Sequence, residues 1–185
     1  MVMPEVTLRW VSESEKDIFT KHFQDYLSEL SVLNGARPNR HGLFEYSQYD
    51  RCWRDDQYMP AFIECDGRRA GLIILRELPR HASPCGRPAF QVAEICTFRS
   101  HRRRGIAKET MRIAARMARE RGMPLTWSAY MNNGPANALY RSVLEEFGAK
   151  RGAWVTDRSH GIDSSGLARF YYHIIPVAVA EKKSL

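Results

Sequence analysis

The segment Glu94-Ile95-Cys96-Thr97-Phe98-Arg99-Ser100-His101-Arg102-Arg103-Arg104-Gly105-Ile106-Ala107 holds the residues whose types and order point most directly to chemistry. It reads as a β-strand, a short basic turn and the start of a helix. A helix start offers open backbone N–H groups and the positive end of the peptide dipole. Gly105 and Ala107 carry too little side chain to keep an anion off that backbone. The chemistry is that of a phosphate site, and a pyrophosphate fits it. The turn lacks the Gly-x-x-x-x-Gly-Lys-Ser/Thr of a P-loop, and also the three glycines and downstream acid of a dinucleotide-binding fold. Nucleoside triphosphate hydrolysis and NAD binding are therefore disfavoured.

Charge has the same centre. The chain's 28 basic and 21 acidic residues give a net +7, and Arg99 to Arg121 holds nine of the basic residues against only Glu109 and Glu120. Outside that segment the chain is balanced. Such an excess suits an anion, either a phosphorylated ligand or a nucleic-acid backbone, and the plain alternative is a solvated arginine-rich helix face. The cysteines, Cys52, Cys65, Cys85 and Cys96, form no Cys-x-x-Cys pair, and none of the 6 histidines has metal-ligand spacing. Reduced structural thiols and no metal site are expected.

A second block, Asn133-Gly134-Pro135-Ala136-Asn137-Ala138-Leu139-Tyr140, lies downstream. Arg102 to Ala107 fits the pattern Gln/Arg-x-x-Gly-x-Gly/Ala, and the second block fits Asn-x-x-Ala-x-x-Leu-Tyr. On these two motifs the chain resembles the GNAT superfamily of acyl-CoA N-acyltransferases. It also resembles a bacterial branch of predicted acetyltransferases, through Tyr26-Leu27-Ser28-Glu29-Leu30, the aromatic segment Phe44 to Trp53, and Ala93-Glu94-Ile95-Cys96-Thr97.

The resemblance implies acetyl-CoA as cosubstrate and an N-acetyltransferase activity. Its pyrophosphate would rest on the amides of Arg104, Gly105, Ile106, Ala107 and Lys108, with Arg102 and Arg103 in the basic turn beside the phosphates. Its pantetheine arm would pair in strand fashion with Cys96 and Thr97, where the sheet splays. The acceptor would be a primary amine of a small molecule, or of a peptide N-terminus or lysine. A homodimer stays open, dimers being common in the superfamily.

Direct transfer requires an amine of pKa near about 10 to lose a proton, attack the thioester and expel a thiolate that is then protonated. Glu94 is the candidate base. Strand alternation puts it on one face with Phe90, Val92 and Cys96, where apolar surroundings raise a carboxyl pKa, unless a bulge changes its facing. The competing role is an ion pair with a neighbouring arginine. By resemblance Tyr140 is the candidate acid for the leaving thiolate, against a role as a packing aromatic. Asn133 and Ala136, at a helix start, would meet the coenzyme arm, or Asn133 would cap the helix.

The elements that must position these residues are legible from periodicity. Val6 to Val11 reads as a strand and Ser12-Glu13-Ser14-Glu15 as a capping box. An amphipathic helix follows, with Phe19, Phe23, Tyr26, Leu27 and Leu30 on one stripe. A short helix is expected at Tyr46 to Asp55. Ala61 to Cys65 and Ala70 to Leu75 flank Asp66-Gly67 as a hairpin. Ala89 to Phe98 is a strand, and Ile106 to Arg121 a helix with Ile106, Thr110, Ile113 and Met117 as its stripe. Leu125 to Tyr130 is a strand, Pro135 to Glu146 a helix, and Ala153 to Thr156 and Arg169 to Ile175 further strands; Ile174 to Ala180 is apolar enough for a terminal strand.

This order gives an α+β fold. The expectation is a single GNAT-like domain over residues 1–178 with a short tail at 179–185. Its mixed central sheet has about seven strands, splayed between the fourth and fifth and flanked by about four helices. The acceptor would enter between the loops Ser31 to Pro60 and Asp157 to Gly166, past Glu45, Asp50, Asp55, Asp56, Asp157 and Asp163. Phe44, Tyr46, Tyr49, Trp53 and Trp154 would wall its apolar part. No bilayer-length apolar run or signal-peptide core is present, so a cytoplasmic protein without membrane partners is expected. Two readings compete with the enzyme: a non-catalytic acyl-CoA-binding regulatory domain of the same fold, and, more weakly, nucleic-acid binding through the Arg99 to Arg121 cluster.

Overall fold

Asp66 and Gly67, at φ 52° and 72°, make the tight turn on which the first half of the sheet is built. Both lie in the left-handed region, which matches a two-residue hairpin to the twist of its strands. The computed structural model describes residues 4–147, 154–157 and 168–174. The turn joins β2 (Tyr58–Cys65) to β3 (Arg68–Leu78), with β1 (Val6–Trp10) and β4 (Ala89–Thr97) on either side, all antiparallel. β5 (Leu125–Tyr130), β6 (Trp154–Asp157) and β7 (Arg169–Ile174) complete a seven-stranded sheet of order β1-β2-β3-β4-β5-β7-β6.

The expected α+β fold with a mixed, splayed sheet is present. β4 and β5 are parallel and pair only over Phe90–Val92 with Leu125–Trp127. Beyond Trp127, β5 continues with β7 alone, which leaves the second half of β4 without a neighbour on that side. Three α-helices flank the sheet among the described residues: α1 (Lys16–Asn34), α2 (Ile106–Glu120) and α3 (Gly134–Glu146). α1 closes one face over Phe62, Leu72 and Ile74, using Phe19, Phe23 and Leu27. α2 and α3 close the other over Ile63, Ile73, Phe90 and Trp127.

Three local expectations are corrected. The helix expected at Tyr46 to Asp55 is a single 3-10 turn, Tyr49–Trp53, because its aromatics pack individually beneath α1 and build no stripe of their own. The Ser12 side chain caps no amide; its hydroxyl donates to Glu15, whose carboxylate is drawn off by Arg9 and Arg69, each at 2.7 Å. The Glu15 carboxylate still meets the Ser12 backbone N–H, so the glutamate half of the box is present and only the serine half is missing. The buried stripe of α2 runs through Ile106, Thr110, Met111, Ala114, Ala115 and Ala118, with Ile113 and Met117 at its border. Small alanines let α2 lie close on the sheet, and hydrophobicity alone points instead to the larger side chains.

All four cysteines are free thiols. Among the described residues no helix is long and apolar enough to cross a membrane. The expected loop between β6 and β7, the strand beyond Ile174 and the tail at 179–185 fall outside the described residues.

Candidate active site

A β-bulge in β4 sets the geometry of the site. Ile74 lies opposite Glu94 and Leu75 opposite Val92, so Ala93 is an extra residue with no partner on β3. Such an insertion reverses the facing of everything beyond it. Phe90 and Val92 point into the core under α2 and α3, whereas Gln91, Ala93 and Glu94 all line a cavity on the α1 face. Strict alternation is therefore corrected: Glu94 shares its face with Cys96 but not with Phe90 or Val92.

The cavity measures about 920 Å³ and is walled by the end of α1, the segment Phe44–Gln48, the loop around Ser83, and strands β3, β4, β5 and β7. Glu94 forms its catalytically interesting wall. The Tyr26 hydroxyl, from α1, donates to Glu94 Oε2 at 2.5 Å, and the Tyr46 hydroxyl stands beside the same carboxylate. Burial raises the Glu94 pKa above the ordinary carboxyl value, against the lowering effects of Tyr26, Arg169, Tyr46 and Arg76. Glu94 forms no ion pair among the described residues. A carboxyl group so placed holds a proton more readily than an ordinary one.

Tyr140 lies on α3, across the splay from Glu94. It is buried, 5.8 Å from the Trp127 ring and 5.4 Å from the Tyr172 ring. Its hydroxyl has no hydrogen-bond partner among the described residues. Burial, with the negative charge of Glu94 second, holds its pKa above the ordinary tyrosine value, so the group keeps its proton. Asn137 fixes α3 here: its side-chain amide donates to the Tyr130 carbonyl at 2.9 Å, and its Oδ1 accepts from the Tyr172 hydroxyl at 2.6 Å. The Asn133 side chain caps α3, accepting from the Ala136 N–H at 3.2 Å.

The anion site expected at the start of α2 has the required backbone. Arg103 and Gly105 sit at φ 63° and 78°, two left-handed residues that swing the turn clear of the helix axis. No side chain caps α2, and its first i→i−4 bond runs from Glu109 N–H to the Gly105 carbonyl at 3.0 Å. The amides of Ile106, Ala107 and Lys108 therefore stay open to an anion. Thr97 Oγ1, at the end of β4 that has no neighbour on the β5 side, is buried without a partner among the described residues. Open amides, an unpaired strand edge and an orphaned hydroxyl together fit a phosphorylated ligand with a strand-like arm.

The arginines divide into two groups. Arg99 and Arg102 are held by Glu29 at 2.7 and 2.5 Å, and Arg102 Nε also donates to the Thr97 carbonyl at 2.9 Å. Arg112 pairs with Glu109 and Glu146, Lys108 with Glu146, and Arg121 with Glu77. Arg103 and Arg104, at the helix start, are exposed and form no ion pair among the described residues. Much of the excess charge is thus neutralised by acids from elsewhere in the chain, and Arg103 and Arg104 stay free beside the open amides, with Arg119 exposed at the far end of α2.

Of the expected acceptor-binding residues, Glu45, Phe44 and Tyr46 line the cavity. Asp55 pairs with Arg51 at 2.7 Å, Asp50 and Asp56 stand away from the cavity, and Tyr49 and Trp53 pack against Phe19 and Phe23. The side chains of Trp154 and Asp157, and all of Asp163, lie outside the described residues. Sequence reasoning missed Arg76, Gln91 and Arg169, which also line the cavity, and gave Tyr26 only a packing role. Tyr26 was within reach, because it lies in the quoted Tyr26–Leu30 motif yet departs from a purely apolar stripe.

Residues 19–144 match the family model described as the acetyltransferase (GNAT) family. Among solved structures, the chain is similar to a GNAT-family acetyltransferase from Listeria monocytogenes, with a TM-score of 0.60 and 14% identity over 91% of this chain and 95% of that one. It is similar to the ribosomal-protein-S18-alanine N-acetyltransferase of Escherichia coli, at TM-score 0.59 and 13% identity over 98% and 100%. A ribosomal L7/L12 α-N-protein acetyltransferase in complex with coenzyme A gives TM-score 0.61 and 12% identity over 92% and 93%. Among curated proteins no sequence matches this chain.

Proposed function

The chain belongs to the GNAT acetyltransferase family, and from that premise we propose that it is an N-acetyltransferase that uses acetyl-CoA and a primary amine. The observation that carries this reading is the position of Glu94. The bulge turns its carboxylate into the cavity at the point where β4 leaves β5, on the same strand that leads into the open helix start.

Acetyl-CoA supplies the thioester whose carbonyl an amine attacks. The amides of Ile106, Ala107 and Lys108, with Gly105 for close approach and Arg103 and Arg104 for charge, would hold its phosphates. Arg102 is largely engaged by Glu29, so its part is to brace the turn. The backbone of Cys96 and Thr97 would pair with the pantetheine arm. Glu94 accepts the proton that the ammonium must lose before it can attack, and burial gives it the affinity to do so. Tyr140, protonated and with a free hydroxyl, donates to the departing thiolate. Asn133 acts through the helix cap, which holds the start of α3 and Ala136 in place.

A screen of amines by thiol release tests the reading. Wild type is expected to turn over at least one class, with Glu94→Gln and Tyr140→Phe both slower at unchanged acetyl-CoA affinity. Tight coenzyme binding without turnover on any amine would assign the site to a non-catalytic acyl-CoA-binding role.

A further inference from the structure

Arg76, on β3, enters the cavity beside Glu94 and is held in an unusual way. Its Nε donates to Gln91 Oε1 at 2.5 Å, and its Nη1 donates to the Tyr58 hydroxyl at 2.7 Å and to Gln48 Oε1. The guanidinium also lies over the Tyr58 ring, 5.5 Å from its centre. Every partner is neutral. Among the described residues no carboxylate lies within ion-pair distance of Arg76, and its Nη2 has no hydrogen-bond partner. Arg9, Arg51, Arg69, Arg99, Arg102 and Arg112 all differ in having a carboxylate.

A partly buried guanidinium fixed on amide and phenol oxygens has its Nε and Nη1 hydrogens already committed and leaves Nη2, with two N–H groups, open for a charge-assisted bond to a carboxylate. Because Gln48, Tyr58 and Gln91 already order the side chain, a ligand need not immobilise it on binding. Arg169, held by the Tyr130 hydroxyl at 2.7 Å, brings a second guanidinium to the cavity, while Glu45 and Glu94 supply its carboxylates. The cavity is therefore dipolar, suited to a ligand with both signs of charge.

We propose that Arg76 receives a carboxylate of the acceptor, so that the acceptor is a small amine that also carries a carboxylate. This inference rests on the N-acetyltransferase reading, in which Glu94 serves the amine end. Arg76 lies opposite Gln91 and Ile74 opposite Glu94, so two residues of β3, roughly 7 Å of strand, separate the two positions. That span suits an amine and a carboxylate several bonds apart, as in a dipeptide or a short ω-amino acid.

The test compares ω-amino acids and dipeptides with their C-terminal amides, by thiol release and by calorimetry in the presence of coenzyme A. The acid forms are expected to be preferred by about tenfold or more in kcat/KM, a factor worth about 1.4 kcal/mol. Arg76→Gln should raise KM for the acids at least tenfold more than for the amides, with kcat much less affected, and Arg76→Lys should restore part of the difference. Equal use of acids and amides by wild type, or an equal loss of both in a folded Arg76→Gln variant, overturns the proposal while leaving the transferase reading intact. Conversely, Arg76-dependent binding of the acid forms without turnover would sink the transferase reading and leave the carboxylate site standing. Neither turnover nor Arg76-dependent binding would sink both.

Discussion

The Tyr26 hydroxyl donates to Glu94 Oε2 at 2.5 Å, joining α1 to the bulge of β4 across 68 residues of chain. The bond favours the ionised carboxylate, whereas burial favours the acid. If Glu94 is the proposed base, the two opposing effects give the pH profile a definite sign. The kcat/KM of wild type should fall as pH drops through the Glu94 pKa. Tyr26→Phe removes a donor that stabilises the charge, so this acid limb should move to higher pH. Glu94→Gln should lower kcat by about 10²- to 10⁴-fold and lose the limb. An unmoved limb in Tyr26→Phe would show that the bond does not govern the titrating group.

Stability carries the same information independently of activity. The folded-state pKa of Glu94 lies above its ordinary 4.5, so the folded protein binds this proton more tightly than the unfolded chain does. That contribution is complete below pH 4.5 and is lost as pH rises through the raised value. Glu94→Gln mimics the protonated form at every pH. Its Tm should match wild type at acid pH and exceed it increasingly toward alkaline pH, as thermal melts across pH would reveal. A variant less stable than wild type at alkaline pH would contradict the buried-carboxylate description.

Gly71, in β3, lets β3 and β4 meet closely at the edge proposed for the coenzyme. A Cβ there would fall well inside contact distance of the Cys96 carbonyl oxygen, a backbone atom that cannot swing aside. Gly71→Ala should destabilise the fold by about 1–3 kcal/mol. It should also weaken acetyl-CoA binding by displacing Cys96 and Thr97. Chemical denaturation reads the first effect and calorimetry the second; an unchanged midpoint would show that the strands can separate freely.

The division among the arginines predicts two separable phenotypes. Replacing Arg103 and Arg104 together by alanine should weaken acetyl-CoA binding and flatten its dependence on salt, with little change in Tm. Arg112→Ala should leave binding intact and lower Tm, because Arg112 ties α2 to Glu146 of α3. Arg112 and Lys108 hold the Glu146 carboxyl down at about 2. The stability difference between Arg112→Ala and wild type should therefore be full above pH 4.5 and fade as pH falls toward 2. A salt-insensitive wild type would remove the electrostatic role of the turn.

The elements carrying strong local signals were legible in the sequence. Asp66-Gly67 specifies its hairpin through left-handed φ, and Gly105 and Gly122 bracket α2 for the same conformational reason. The bulge at Ala93 was not legible, because two residues facing one across a ladder leave no trace in the hydrophobic pattern of either strand. Glu94 could be named from its type, yet its facing needed the register. Arg76, Gln91, Gln48 and Tyr58 form a polar cluster from four separate segments, and nothing in their individual spacing joins them. The acidic loop residues misled for the opposite reason: charge is visible in sequence, but Asp55 spends it on Arg51 four residues away.

The central claim is that the open start of α2 binds acetyl-CoA. Isothermal titration of acetyl-CoA into wild type and into Gly105→Glu tests it most directly, with thermal melts to establish that the variant is folded. A carboxylate at Gly105 would put bulk and negative charge on the proposed phosphate site. The account predicts micromolar binding in wild type and its loss in a folded Gly105→Glu variant. No binding in wild type, or undiminished binding in the variant, would contradict it.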